Sequence, residues 1–428
     1  MGTDERQQDE VEARLEQEVA RQFEEVTRGS VDLFMEEELR KKLRRSLRTR
    51  VPLVVKAGFD PTRADLHLGH SLLLSRLRRF QDFGHRVIFL IGDFTAMLGD
   101  PSGRNATRPP LTRDEVLAHA ETYKAQVFKV LDEERTEVRF NSEWLDALGT
   151  EGTIRLAARY PLARILERDD FKKRFREGQS IALHELLYPL LQGWDSVELK
   201  ADVELGATDQ LFNLLVGRQL MKEVGLEPQV VMTGPILEGL DAKLVDGVIT
   251  GDKMSKSLDN YVGIDEPPEA IFGKLMSITD DLMWRYYELL SARPLPELQT
   301  LRTDVAEGRV HPKDAKVGLA RELVARFHDE AAAHAAVEAF EKRFARRELD
   351  SSNVPRVEVS LEGAADMLLV HAVKAAGLTQ SSSEARKLLT QGAVRVDGTK
   401  IQDVKATLGA GEHLVQVGKL KAARIALG

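Results

Sequence analysis

Apolar positions recur along this chain at spacings that define its elements before any chemistry is considered. Near the start, Val11, Leu15, Val19 and Phe23 repeat every four residues and mark one helical face. A second helix is predicted over residues 36–47. Residues 53–59 read as a short buried strand, closed by the turn DPTRAD. A helix over 71–83 follows, with Leu73, Leu74, Leu77 and Phe80 on one face and Gly84 as its stop. Residues 86–92 form another apolar strand. A strand, a loop, a helix and a strand in quick succession make a βαβ unit, and such a unit requires a parallel sheet.

The same alternation returns downstream. Residues 180–195 are apolar at helical spacing, 210–224 read as a long helix and 229–237 as a strand. From 267 to 349 the pattern is almost wholly helical. The stretch 350–355, DSSNVP, is polar and closed by proline, and so is the best linker candidate. Beyond it come two short helices and β-like runs around 392–397 and 413–417. No internal repeat is visible.

Composition narrows the class. The chain has 428 residues, 43% apolar and 30% charged, enough to bury real cores in two or three domains. It has no cysteine, which removes disulfide scaffolds, thiolate metal sites and cysteine nucleophiles. Its longest apolar runs, such as 87–91, are far too short to span a bilayer, and the first ten residues lack the apolar stretch of a signal peptide. The expectation is a soluble, cytoplasmic protein with no membrane partner. The net charge of −8 is unevenly spread: residues 363–428 carry nine basic and five acidic side chains, +4, which leaves −12 on the rest. A basic tail on an acidic body suits a polyanion partner, although scattered surface charge would look the same.

Three clusters hold candidate chemistry. Asp60-Pro61-Thr62-Arg63-Ala64-Asp65-Leu66-His67-Leu68-Gly69-His70 lies between a strand and a helix, where open parallel sheets bind ligands and helix starts attract phosphate. His67 and His70, three apart, face the same way. They suit phosphate oxygens; alone, such a pair is more often a cap or a surface feature, and a metal reading, with Asp65 nearby, lacks a third ligand at a recognised spacing. Gly251-Asp252-Lys253-Met254-Ser255-Lys256-Ser257 sets two lysines three apart, able to wrap a triphosphate or simply to form a solvated turn. Gly99-Asp100-Pro101-Ser102-Gly103-Arg104, with Arg108 behind it, puts an acid and two arginines at a strand end, or is a tight turn with rim charges. No Walker loop, GxGxxG turn or Gly-x-Ser-x-Gly elbow occurs.

Taken in order, these clusters resemble one family. His67-Leu68-Gly69-His70 and Lys253-Met254-Ser255-Lys256-Ser257 are similar to the two signatures of class I aminoacyl-tRNA synthetases. Tyr188-x-x-x-Gln192-x-x-Asp195 and Gly206-Ala207-Thr208-Asp209-Gln210 resemble the tyrosine-specific members, and residues 367–398 resemble the S4 RNA-binding module that closes their long-chain bacterial branch. The resemblance runs from about residue 36 to the end.

It implies an α/β fold: a doubly wound, Rossmann-like parallel-sheet catalytic domain over 1–250, an α-helical anticodon-recognition domain over 251–350, and a small α+β S4 domain over 351–428. It implies a ligase that activates L-tyrosine with ATP and passes it to tRNA(Tyr), working as a homodimer. By resemblance Thr95, Asp100, Tyr188 and Gln192 hold the tyrosine ammonium, and Asp195 reads the phenol. Gly58, Asp60, Thr62, His67, Gly69 and His70 surround ATP, Gly206, Asp209 and Gln210 lie at its ribose, and Arg104, Arg108, Lys253 and Lys256 steady the pyrophosphate. Mg²⁺ travels with ATP, with no resident metal. One position departs from the short-chain branch, which has a tyrosine four residues before the Asp60 position; here Lys56 stands there, able to pair with Asp195 or keep it ionised. The tryptophan-specific enzymes share both signatures, but Asp195 and the S4-like tail argue against them.

Overall fold

Six strands, β1 (Asp32–Phe34), β2 (Val54–Phe59), β3 (Arg86–Ile91), β4 (Thr136–Phe140), β5 (Val203–Ala207) and β6 (Val230–Gly234), lie side by side in the order β1-β6-β5-β2-β3-β4. In this computed structural model, residues 2–100, 111–349, 355–361, 364–418 and 421–428 are described. All neighbours in the sheet pair parallel except β1, which runs antiparallel along β6. Chain order moves outward from β2 in both directions, so it reverses between β2 and β5. A crevice opens at the carboxyl ends of strands where such a reversal occurs. The parallel sheet is the one the βαβ pattern requires, and its doubly wound order is the one the resemblance implies.

The central strands are apolar because helices cover both faces of the sheet. Val87, Ile88, Phe89, Leu90 and Ile91 of β3 are all buried. Ile88 and Leu90 join a cluster with Leu190, Leu191 and Val197 from the helix Leu183–Leu199 and Val216 and Leu220 from the helix Leu211–Glu223. The helix Leu68–Asp82 starts at the N-cap His67 and ends before Gly84, whose φ of 80° is easiest for glycine.

At the amino end a helix runs from Gly2 to Thr27. Its four-residue stripe is buried only in part: Val19 is covered, while Val11 is 66% exposed. Arg44 and Arg48 of the helix Glu36–Thr49 pair with Glu16 and Glu12, and the Arg40 guanidinium lies 3.5 Å from the Phe23 ring centroid. Past the sheet, the helices Pro268–Ser277, Asp280–Leu290, Leu295–Ala306, Pro312–Phe327 and Glu330–Leu349 account for the helical pattern read there.

The chain divides into two compact units, Met1–Val337 and Glu338–Gly428. The second has a five-stranded sheet in the order Thr399–Ile401, Val394–Val396, Gly411–Val417, Lys421–Leu427, Arg356–Val359, with the last pairing parallel. The helices Leu369–Ala375 and Ser382–Thr390 accompany it, and Leu369, Val373, Leu389, Val415 and Ile425 belong to one core. Lys374, Arg386, Lys387, Arg395, Lys400 and Lys405 remain exposed. Residues 350–354 of the expected linker lie outside the described residues.

Candidate active site

The segment after β2 turns tightly, with the Thr62 amide donating to the Asp60 carbonyl at 2.7 Å, and then enters the helix Leu68–Asp82. His67 caps that helix: its Nδ1 accepts from the Gly69 amide at 3.1 Å. His70 Nδ1 in turn accepts from the His67 amide at 3.1 Å. With both Nδ1 atoms used as acceptors, each imidazole carries its proton on Nε2. Burial and the nearby charges of Lys256 and Lys253 push the His70 pKa down to about 3. Burial first, then the His70 and lysine charges, hold His67 well below its ordinary value. The rings, 3.9 Å apart between centroids, are therefore neutral N–H donors at neutral pH. A Cβ on Gly69 would stand 2.9 Å from His67 Cε1, so this ring position needs glycine.

The lysine loop closes on the same region. Lys256 Nζ donates to Asp65 Oδ2 at 3.0 Å, and Lys253 Nζ to Asp209 Oδ2 at 2.7 Å. Met254 anchors the loop with 3% exposure, and the Ser255 amide donates to Asn260 Oδ1 at 2.8 Å. Backbone bonds from Leu68 to Val262 and from Ile264 to Leu66 tie the chain just beyond the loop to the histidine segment.

A second group lies between β2 and the helix Leu183–Leu199, which presents Tyr188, Gln192 and Asp195 at helical spacing. Asp60 accepts from the Tyr188 hydroxyl and from Thr95 Oγ1, each at 2.8 Å. Gln210 Nε2 donates to Asp100 Oδ2 at 2.8 Å, and Asn213 Nδ2 reaches both Gln192 Oε1 at 2.9 Å and Gln210 Oε1 at 3.2 Å. Residues assigned to different substrates by resemblance thus bond to one another: Asp60 with Tyr188 and Thr95, and Gln210 with Asp100. Burial pushes Asp60 up to about 7 despite the Thr95 and Tyr188 hydrogen bonds. Burial likewise pushes Asp195 to about 7, and the Lys56 charge opposes it. Gly206 closes β5 against Leu214, whose Cδ1 would lie 2.7 Å from an added Cβ. At Gly58 an added Cβ would make only an ordinary contact, with Leu90 Cδ2 at 3.9 Å. Arg104 and Arg108 lie outside the described residues.

Several contributors gave no local sequence signal. Asn141, fully buried after β4, donates to Thr95 Oγ1 at 3.1 Å and to Asp195 Oδ2 at 3.4 Å. Trp144 Nε1 donates to Asp195 Oδ1 at 2.9 Å. Gly92 leaves room for Asp60, whose Oδ1 would sit 2.1 Å from a Cβ there. Lys56 pairs with Glu204, Nζ to Oε1 2.7 Å, rather than with Asp195. Among the described residues, no group of three or more His, Asp or Glu side chains is arranged to hold a metal.

Neutral imidazole donors and two lysines thus stand at the switch point of a doubly wound sheet, and known proteins match the chain over most of its length. Residues 48–345 match the family described as tRNA synthetases class I (W and Y). Residues 347–417 match the tyrosine–tRNA ligase SYY-like C-terminal domain. The chain belongs to the class I tRNA synthetases of the tryptophan and tyrosine group. Within that class it belongs to the tyrosine–tRNA ligases. It is 54% identical to the tyrosine–tRNA ligase of Idiomarina loihiensis over 414 residues, 96% of this chain and all of the relative. It is also 54% identical to that of Bordetella pertussis over 416 residues, 97% of this chain and 98% of the relative. Among solved structures, the Archaeoglobus fulgidus tyrosyl-tRNA synthetase complexed with L-tyrosine aligns with a TM-score of 0.58 at 23% identity, covering 74% of this chain and 99% of that one. A C-terminally truncated Aspergillus nidulans mitochondrial tyrosyl-tRNA synthetase aligns at 0.61 and 21% identity, over 78% and 98%. These two share the fold. Among the described residues, no helix is long and apolar enough to cross a membrane.

Proposed function

We propose that the space between β2 and the helix Leu183–Leu199 binds tyrosine, and that the His67–His70 and Lys253–Lys256 pairs bind the phosphates of the ATP that activates it. The enzyme is a ligase of its family: tyrosine and ATP give tyrosyl-adenylate and pyrophosphate, and the tyrosyl group then passes to the 3′ end of tRNA. The carrying observation is the convergence of two Nε2–H donors and two lysines at the sheet's switch point. Donors of this kind suit phosphate oxygens and do not ligate a resident metal, so Mg²⁺ enters with ATP as part of the substrate.

The amino acid's carboxylate is already ionised and is the nucleophile, so no general base is needed. Thr95, Asp100, Tyr188 and Gln192 orient the ammonium end, Asp60 borders the nucleotide, and the carboxylate attacks the α-phosphorus. Negative charge builds on the departing pyrophosphate, where the imidazole N–H groups and lysines offset it. Arg104 and Arg108 join them, Gly58 and Thr62 border the nucleotide, and Gly206, Asp209 and Gln210 hold the ribose. Residues 251–350 serve the anticodon and 351–428 serve the RNA backbone.

Asp195 selects tyrosine through its phenol. Phenylalanine would leave this buried carboxylate without the hydroxyl, a type of loss that the tyrosine enzymes already exemplify. Asp195→Asn is expected to lower the ratio of specificity constants for tyrosine over phenylalanine in pyrophosphate exchange, chiefly by weakening tyrosine, because a charge-assisted hydrogen bond becomes a neutral one. An unchanged ratio moves the phenol reader elsewhere.

Two copies associate. Ile154, Leu162, Phe175 and Leu183 are 64%, 55%, 67% and 80% exposed on four successive helices, an apolar display that suits a self-interface. Sedimentation is expected to give a dimer, shifted toward monomer by Leu183→Asp; a monomeric parent counts against it.

A further inference from the structure

Lys56 occupies the middle of a central strand between the fully buried Val55 and Ala57, and it is itself 0% exposed. A charge in such a place requires a counter-charge. Glu204 supplies it: the two residues are register partners on β2 and β5, with Nζ 2.7 Å from Oε1. The other Glu204 oxygen accepts from Ser196 Oγ at 3.1 Å and from Gln229. The lysine contact, however, is not aligned as a hydrogen bond, and among the described residues Nζ has no hydrogen-bond acceptor. The ammonium is balanced in charge and retains unused donors.

The register fixes where those donors lie. Lys56 pairs with Ile88 and Gly58 with Leu90, and residues paired in a parallel ladder share a face. Ile88 and Leu90 pack with Leu190 and Leu191, and Val54 packs against the same cluster. Val54, Lys56 and Gly58 therefore face the helix Leu183–Leu199. On this face Gly58 contributes no side chain, and a Cβ there would meet only Leu90 Cδ2, at 3.9 Å. At one end Asp60 meets Tyr188, and at the other Lys56 is the largest influence keeping Asp195 ionised. Four strand residues span about 13 Å and seven helical residues about 10 Å, so β2 and the helix can flank one aromatic amino acid lengthwise.

We propose that Lys56 is a specificity-determining residue of the tyrosine pocket: its ammonium, held in charge balance by Glu204, donates a hydrogen bond to the substrate's phenol oxygen while the phenol proton is donated to Asp195. The proposal rests on the assignment of Asp195 to the phenol. A hydroxyl is both donor and acceptor; an ionised carboxylate only accepts and an ammonium only donates. The pair thus complements both functions of the hydroxyl. Phenylalanine satisfies neither and leaves two buried charged groups without it.

The test compares full-length Lys56→Met/Glu204→Gln with Asp195→Asn in pyrophosphate exchange. The double variant removes both charges together, so neither is left buried alone, and it retains an acceptor for Ser196 and Gln229. Thermal unfolding and the KM for ATP report on the fold and the nucleotide half. The KM for tyrosine is expected to rise and the tyrosine-to-phenylalanine ratio of kcat/KM to fall about ten- to a hundredfold, with kcat changing much less. A parental ratio in the double variant beside a lowered one in Asp195→Asn overturns the role of Lys56 and leaves the pocket assignment standing. Parental ratios in both overturn both. Should the double variant not fold, the parent protein decides with 4-aminophenylalanine. Its amine keeps a donor for Asp195, but the nitrogen lone pair is delocalised into the ring and accepts poorly from Lys56. Its kcat/KM is expected about tenfold or more below that of tyrosine; use as efficient as tyrosine overturns the proposal.

Discussion

Replacing Lys256 with alanine is expected to slow adenylate formation by about 10²–10³ while tyrosine binding stays near its parental value. Lys256 is held at the mouth of the histidine segment by Asp65, 3.0 Å from Nζ, and Asp65 is fixed by Gln126 Nε2 at 3.2 Å. Its charge lies where phosphate oxygens would meet the Nε2–H groups of His67 and His70. That charge matters most as the pyrophosphate departs, when negative charge is greatest, so its loss falls on the rate rather than on amino-acid binding. The carboxylate left behind is 45% exposed in its side chain and is accommodated by water, so the fold is little affected. Single-turnover adenylation with equilibrium dialysis of tyrosine tests this. A rate within a few-fold of the parent removes Lys256 from the mechanism, and a large loss of tyrosine binding assigns it to the wrong half of the site.

Removing the chain after Asp350 is expected to leave tyrosine-dependent pyrophosphate exchange intact and to cripple transfer to tRNA. The site residues all precede residue 258, and the second unit has a core of its own drawn from residues 361–427. The two family matches also meet here, one ending at 345 and the other starting at 347. The exposed lysines and arginines of the tail place positive charge on an otherwise acidic protein. Contacts of this kind release counterions, so tRNA affinity should fall steeply with salt in the full chain and more gently in the truncated one. RNA is also read by shape and by its hydroxyl groups, so salt reports only part of the binding. Lost exchange in a soluble, dimeric truncation makes the tail a structural part of the catalytic body. Charging at the full-length rate leaves its basic surface without a role in aminoacylation.

The sequence was most legible where local periodicity and long-range packing agree. β2, the helix Leu68–Asp82 and β3 fall within a few residues of their expected positions, because a buried parallel strand is a continuous apolar run and a surface helix has a repeating apolar face. β4 (TEVRF) gave no such signal: it lies at the sheet edge, half-buried throughout, so its composition is mixed. The strand Lys421–Leu427 is rich in alanine, which disfavours strands. It forms because Gly411–Val417 pairs with it on one side and Arg356–Val359 on the other.

The two signature motifs belong to what the sequence determined by itself. His67 and His70, like Lys253 and Lys256, are close in the chain, and each pair's geometry follows from a turn or a helix start. Tyr188, Gln192 and Asp195 share a face simply through helical spacing. Tertiary structure alone decided what those residues touch. Tyr188 meets Asp60 across 128 positions, Asp195 meets Trp144 across 51, and Lys56 meets Glu204 on a neighbouring strand. A carboxylate's protonation and a lysine's free donors depend on burial and on partners distant in sequence. The spacing of residues along one element carries no information about either, so the chain names the chemistry and the folded sheet sets its charge.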